Sequence, residues 1–193
     1  MRVLIPVVII VLVLCSCGET IDKPNSTTLR TWPSSTMFID PDSLFSIRLS
    51  GLFQLQPIKT QDTVSTIYGK AYQDVYFFDR DSLSMLISVT KYAEQVQKRP
   101  DKKIFESSVN TFLHSLGAKR TKTITSKKHI NKTEIIGDRT FFTFRFNDIP
   151  RYGVTELYRW NSHLYQLIII SNKKDDFTTS DDIALAFHSF QPI

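Results

Sequence analysis

Four histidines are the first candidates for chemistry in this sequence: His114, His129, His163 and His188. None stands at a metal-ligand spacing from another histidine or a carboxylate, so no zinc-type site is legible. His163 and His188, with the aspartates near them, are what a small hydrolase would draw on if its site formed only in the fold. The chain has no GxSxG, no Gly-rich phosphate loop and no HExxH. Six glycines are few for a protein that must cradle phosphates. The pairs Asp175-Asp176 and Asp181-Asp182 lack the spacing and the glycine of a calcium loop. Helix capping and solvation account for them better. No catalytic residue, cofactor or metal ligand is therefore assigned, and the expectation is a protein that is not an enzyme.

The sharpest charge feature is Lys119, Arg120, Lys122, Lys127, Lys128 and Lys132, six bases with no acid between positions 119 and 133. As a functional patch they would meet anionic lipid headgroups, lipopolysaccharide or an acidic partner. As a structural feature they would keep an edge strand or loop soluble and unpaired, and this second reading asks for less. In an extended strand Lys122, Lys128 and Lys132 share one parity while Lys119 and Lys127 share the other. No single face would then collect them all. Nucleic acid is not expected, because no aromatic residues interleave with these lysines and the net charge is only +5.

The two cysteines lie close to the N-terminus, behind an apolar run. Arg2 supplies a positive charge, and Val3 to Leu14 is apolar at every position except Pro6. Twelve helical residues reach about 18 Å, short of a hydrocarbon core about 30 Å thick. The run therefore reads as a secretory signal. The phrase Leu14-Cys15-Ser16-Cys17-Gly18 resembles a bacterial lipobox, with Leu at −3, a small residue at −1 and Cys at +1. The resemblance implies cleavage after residue 16 and a diacylglyceryl lipid with further acylation on Cys17. Cys15 fits that role poorly, because bulky Leu14 would precede it. Two or three acyl chains would anchor the chain firmly, where a single chain holds only marginally. With Cys15 removed and Cys17 lipidated, thiol chemistry and disulfides drop out.

Residues 17–36 are expected to be the lipidated cysteine and a polar tether with two prolines. As a coil, its 19 residues after Cys17 would reach about 25 Å. Residues 37–193 are expected to form one domain. Phe45 to Leu49 alternates apolar with polar, the period-2 signal of a half-buried strand. Strands are also expected over Ser65 to Tyr68, Ala71 to Phe78 and Leu83 to Val89, with a turn at Asp79 to Ser82. Thr140 to Phe146 alternates Phe142, Phe144 and Phe146 against Phe141, Thr143 and Arg145. Thr155 to Trp160 and His163 to Ile170 read as a hairpin about Asn161-Ser162. The run Leu167 to Ile170 is apolar on both faces, which predicts a central strand. Asp101 can cap a helix carrying Ile104, Phe105, Val109, Phe112, Leu113 and Leu116, stopped by Gly117. Thr179 or Ser180 can cap a last helix with the stripe Ile183, Ala184, Phe187 and Phe190.

This order predicts an α+β domain, an antiparallel β-sheet flanked by helices. The layout and three phrases resemble the PsbP-like superfamily, which includes the bacterial DcrB-type lipoproteins. The phrases are Leu44 to Leu49 as first strand, Leu157 to Leu167 as late hairpin, and Ala184 to Phe190 as closing helix. The usual Pro and Trp after the first strand are replaced by Ser50 and Phe53. The resemblance implies a PsbP-like α/β/α sandwich with a binding or assembly role, and it transfers no catalytic residue. The expected function is that of a membrane-anchored envelope lipoprotein acting as a non-enzymatic binding or assembly module. Its partners would be the membrane, through the lipid on Cys17, and an envelope protein or anionic envelope component. Gly18 lacks the acidic charge that favours inner-membrane retention in enteric bacteria, which favours the outer membrane. Two other readings are a small hydrolase and an inhibitor or immunity-type lipoprotein acting on an exported toxin.

Overall fold

A seven-stranded, wholly antiparallel sheet organises the chain. The computed structural model describes residues 35–50, 57–66, 69–80, 83–130 and 132–193. The expected signal segment 1–16, Cys17 and nearly all of the expected tether lie outside the described residues. The strands are β1 (Ser35–Ile39), β2 (Phe45–Ser50), β3 (Ile58–Thr66), β4 (Gly69–Arg80) and β5 (Leu83–Lys91). After helices α1 (Glu94–Gln97) and α2 (Asp101–Ser115) come β6 (Lys119–Ile130), β7 (Thr133–Phe146), β8 (Ile149–Trp160) and β9 (His163–Ser171). Helices α3 (Asp176–Thr179) and α4 (Asp181–Ser189) and the short β10 (Gln191–Pro192) close the chain. The large sheet has the order β3-β4-β5-β9-β8-β7-β6, and a small one has the order β1-β2-β10.

Each face of the large sheet has its own cover. Helix α2 lies on one face, burying Ile104, Phe105, Val109 and Leu113 against Phe142, Phe144, Leu157, Ile168 and Ile170. The small sheet and α4 cover the other face, where Phe45, Ile47, Ile183, Phe187 and Phe190 meet Tyr76, Phe78, Ile87, Tyr165, Leu167 and Ile169. Strand β9 sits between β5 and β8 and feeds both cores with alternate residues, so the all-apolar run does mark a central strand. Each such side chain contributes about 1.5–3 kcal/mol on burial.

The helix ends follow from local chemistry. Helix α2 stops at Gly117, whose φ of 61° suits a residue without Cβ. Gly117 N–H donates to His114 O at 3.1 Å and Ala118 N–H to Leu113 O at 2.8 Å, the paired bonds of a Schellman end. Its cap is Pro100, and Asp101 is the first helical residue rather than the cap. Asp101 instead accepts from Arg159 Nη1 at 2.6 Å, while Arg159 also donates to Arg99 O at 3.0 Å and to Gln97 O. That one β8 guanidinium ties the α1–α2 link to the sheet. Ser180 caps α4 by accepting from Ile183 N–H at 3.4 Å. The buried stripe of α4 takes Ala186 in place of Ala184, which is exposed.

Two glycines allow a close approach between β7 and β8. Gly137 stands opposite Tyr158 and Gly153 opposite Phe142. A Cβ on Gly137 would come within 2.6 Å of the Tyr158 ring, and one on Gly153 within 2.2 Å of the Phe142 ring. Tyr158 belongs to the α4-side core and Phe142 to the α2-side core. Each strand thus lends a bare backbone position to an aromatic ring of the other, on opposite faces of the sheet.

Three strand expectations change. Strand β1 begins at Ser35, two residues inside the expected tether. The expected strand at Ser65 to Tyr68 divides: Ser65 and Thr66 end β3, and residues 67–68 lie outside the described residues. At the expected turn Asp79 to Ser82, β4 continues through Arg80, and residues 81–82 lie outside the described residues.

Candidate binding site

Two polar clusters stand on the α4-side face of the large sheet. The first lies under the β1–β2 turn. Asp40 is buried, and both its oxygens are engaged: Oδ1 accepts from Tyr76 Oη at 2.6 Å and Oδ2 from Leu44 N–H at 3.0 Å. Its backbone closes the same turn, with Asp40 N–H donating to Phe45 O and Ser43 N–H to Asp40 O. Lys59, opposite Tyr76 in register, pairs with Asp42 at 2.6 Å and Asp74 at 3.3 Å. Burial works against the charge on Lys59, but the bonds to Asp42 and Asp74 outweigh it and raise the pKa. Burial raises the Tyr76 hydroxyl, and the bond to Asp40 adds to it. Tyr165 is pushed up to about 12, first by burial and then by the charge of Asp40.

The second cluster lies under α4, on β6, β7 and β8. Glu156 is fully buried, and Arg139 stands directly opposite it. Arg139 donates from Nε to Glu156 Oε1 at 2.9 Å and reaches the same oxygen from Nη2 at 2.8 Å. The other oxygen, Oε2, is buried without a hydrogen-bond partner among the described residues. The Arg139 guanidinium also stacks over Phe187, 4.7 Å from the ring centre. Lys128 is buried beside this pair. Its Nζ donates to Phe187 O at 2.7 Å and Phe190 O at 2.5 Å, capping the C-terminus of α4 where a cation is favoured. It also sits over the rings of Tyr158 and Phe190 at 5.2 and 5.7 Å. Burial brings Lys128 down to about 8; Arg139 adds to the shift and Glu156 opposes it. The neutral amine would still donate both hydrogen bonds. Burial raises the neighbouring Tyr158 hydroxyl, and the charge of Glu156 reinforces that.

Beside this second cluster a groove of about 540 Å³ opens between α3, α4 and the sheet. Phe141, Val154, Phe177, Ile183 and Phe187 give it an apolar lining, with Arg139, Asp181 and His188 at its polar margin.

The basic run is β6, an edge strand of the large sheet. The structure divides the six bases. Lys128 faces the core and does not belong to a surface patch. Arg120 bonds Asn110 on α2 at 2.7 Å, and Lys127 pairs with Glu134 at 3.1 Å. Lys132 follows β6 with a φ of 69°. Strand parity does not run unbroken along β6, because a bulge shifts register between Arg120 and Lys122. Lys119 stands opposite Thr143 and Lys122 opposite Phe141, two β7 residues that share a face. The bulge therefore brings these two lysines together on the groove side.

The four histidines fall on four different elements: His114 on α2, His129 on β6, His163 on β9 and His188 on α4. His163 opens β9, where burial and then Lys91 lower its pKa, while His188 is exposed on the last turn of α4. Among the described residues no group of three or more His, Cys, Asp or Glu could hold a metal ion. Sequence reasoning missed Arg139 and Glu156. The available signal was parity: Glu156 shares a strand face with Val154 and Tyr158, so a carboxylate there needs a buried partner.

No family model and no curated protein matches the chain. Similarity appears among solved structures. The solution structure of the cyanobacterial PsbP protein CyanoP from Synechocystis sp. PCC 6803 aligns with a TM-score of 0.57 at 7% identity, covering 90% of this chain and 99% of its own. A Bacteroides thetaiotaomicron VPI-5482 protein (TM-score 0.48, 9% identity, 84% of this chain, 49% of its own) falls below 0.5 and adds nothing. With the antiparallel sheet between two covering layers, the likeness to CyanoP places the chain in the PsbP-like α+β fold.

Proposed function

We propose that this chain is a membrane-anchored envelope lipoprotein whose domain is a non-enzymatic binding module, with the groove beside α4 as its binding surface. The observation that carries the binding role is a largely apolar recess between helix and sheet with a few polar groups, Arg139, Asp181 and His188, among its lining, the usual composition of a ligand site. The lipobox-like phrase ending in Cys17 supports the anchor, and the outer membrane is its favoured location.

Two measurements test the two parts separately. Intact mass of the purified protein should show a diacylglyceryl-modified N-terminal Cys17, and Cys17→Ser should abolish the modification; an unmodified wild type removes the anchor. Crosslinked affinity capture from the producing membrane should recover a bound component that Ala184→Trp, on the groove wall, fails to recover. Equal recovery by both proteins removes the groove from the reading.

A further inference from the structure

The groove's size and charge narrow what it can hold. Its volume of about 540 Å³ lies inside the roughly 300–1,000 Å³ range of small-ligand sites. A docked helix, about 10–12 Å across, would need a larger surface. The floor formed by Phe141, Val154, Ile183 and Phe187 offers no hydrogen bond to a polar body. The Arg and Lys charges are on the β6–β7 side, while Asp181 and His188 stand on α4. Arg139 lies over Phe187 at the margin, and the β6 bulge sets Lys122 across from Phe141 with Lys119 beyond it on the same face. Both lysines are exposed, and neither has a carboxylate within ion-pair distance among the described residues. The acids at the groove are Asp181, which lines it from α4, and Glu156 beside it, whose Oε1 is held by Arg139.

We infer that the groove binds a small anionic amphiphile. Its apolar body lies between α4 and β7, and its anionic head lies at Lys119, Lys122 and Arg139. This rests on the reading of the groove as the binding surface and names the class of ligand. A carboxylate or phosphate head on an alkyl chain meets both requirements, whether it belongs to a bilayer lipid or to a free molecule. An alkyl chain with a cationic head meets only the first.

The test is photolabelling of the full lipidated chain in neutral phosphatidylcholine nanodiscs, with peptides mapped by mass spectrometry. One probe is a diazirine-bearing alkyl carboxylate and the other its trimethylammonium counterpart. The carboxylate should label peptides carrying Phe141 and Ile183 to Phe187 at least tenfold more than the ammonium probe. Lys119→Glu with Lys122→Glu should reverse that preference, and Ala184→Trp should cut labelling at least tenfold, with circular dichroism confirming the fold. Phosphatidylglycerol in the nanodisc competes with the probe if the source is a lipid; only added alkyl carboxylate competes if it is free. Equal labelling by the two probes, or labelling outside the groove, overturns the inference. If amphiphile labelling fails while Ala184→Trp still abolishes partner capture, the ligand class falls and the binding module stands. If both fail, both readings fall.

Discussion

Asp40 and Glu156 are two buried carboxylates on one face of one sheet, and they are built to opposite standards. Asp40 engages both oxygens and closes a turn with its own backbone. Glu156 gives one oxygen to Arg139 and leaves the other without a partner. The first cluster is a complete structural joint, with Lys59 bridging two further carboxylates at its margin. The second is held by a guanidinium that also looks into a groove, and by a buried lysine whose work is to cap a helix. A carboxylate with every bond made explains itself by stability. One left partly unpaired beside a recess is where the fold accepts a cost that the packing alone does not explain.

The comparison can be broken most sharply at Arg139. Arg139→Met leaves Glu156 buried without its partner and should cost about 3–5 kcal/mol. Arg139→Met with Glu156→Leu should return to within about 1 kcal/mol of wild type, because an apolar pair of similar volume often replaces a buried ion pair without loss. Urea unfolding of the three proteins decides this. A double variant as unstable as the single would show that Glu156 has a structural task like that of Asp40.

Asp40 should behave otherwise. Asp40→Ala strands a buried tyrosine hydroxyl and the Leu44 N–H, at about 2–3 kcal/mol. Adding Tyr76→Phe should recover only the hydroxyl's share, since the turn stays open. Full recovery in the double variant would reduce the cluster to a single hydrogen bond.

Lys128 gives a pH-dependent contrast. Its folded pKa of about 8 lies below the ordinary value of 10.5, so between those values the unfolded chain holds the proton more tightly. Stability contributed by Lys128 therefore rises from pH 8 towards 10, by about 2 kcal/mol. The tyrosines Tyr76, Tyr158 and Tyr165 have pKa values raised above the ordinary 10 and work the other way: the unfolded chain gives up these protons first, so their contribution to stability falls as pH rises above about 10. Denaturant midpoints of wild type and Lys128→Met at pH 7 and 10 should diverge by that amount. A constant difference would mean that the amine stays charged in the core.

The smallest effect belongs to the margin of the first cluster. Asp42→Ala removes an exposed partner of Lys59 while Asp74 remains, and it should cost no more than about 0.5 kcal/mol. A larger loss in thermal or urea unfolding would make Asp42 part of the joint.

Much of the fold was legible because burial writes a period into a strand. Phe142, Phe144 and Phe146 alternate, Leu167 to Ile170 do not, and both patterns meant what they suggested. Strand β3, with Lys59, Thr60, Gln61, Asp62 and Thr63, carries no such period because it is an edge with little to bury. Strand β6 misled for a further reason. Its bulge resets parity after Arg120, and no residue type announces a bulge. The candidate site was the least legible part. Arg139 and Glu156 lie 17 positions apart and become partners only through the register of β7 and β8, while the groove needs α4 folded back over both.

The strand order has a consequence for how the domain assembles. Strands β3, β4 and β5 form one meander, and β6 to β9 form another, each joined by neighbours in sequence. Only the β5–β9 seam, from Leu83 with Ser171 to Lys91 with His163, joins them across all of α2, β6, β7 and β8. Local hairpins form in microseconds, whereas distant pairings must first meet the entropy of loop closure. The two meanders are thus natural early units, and β9 with its apolar run Leu167 to Ile170, exposed along one edge until β5 arrives, is the surface a chaperone would have most reason to hold.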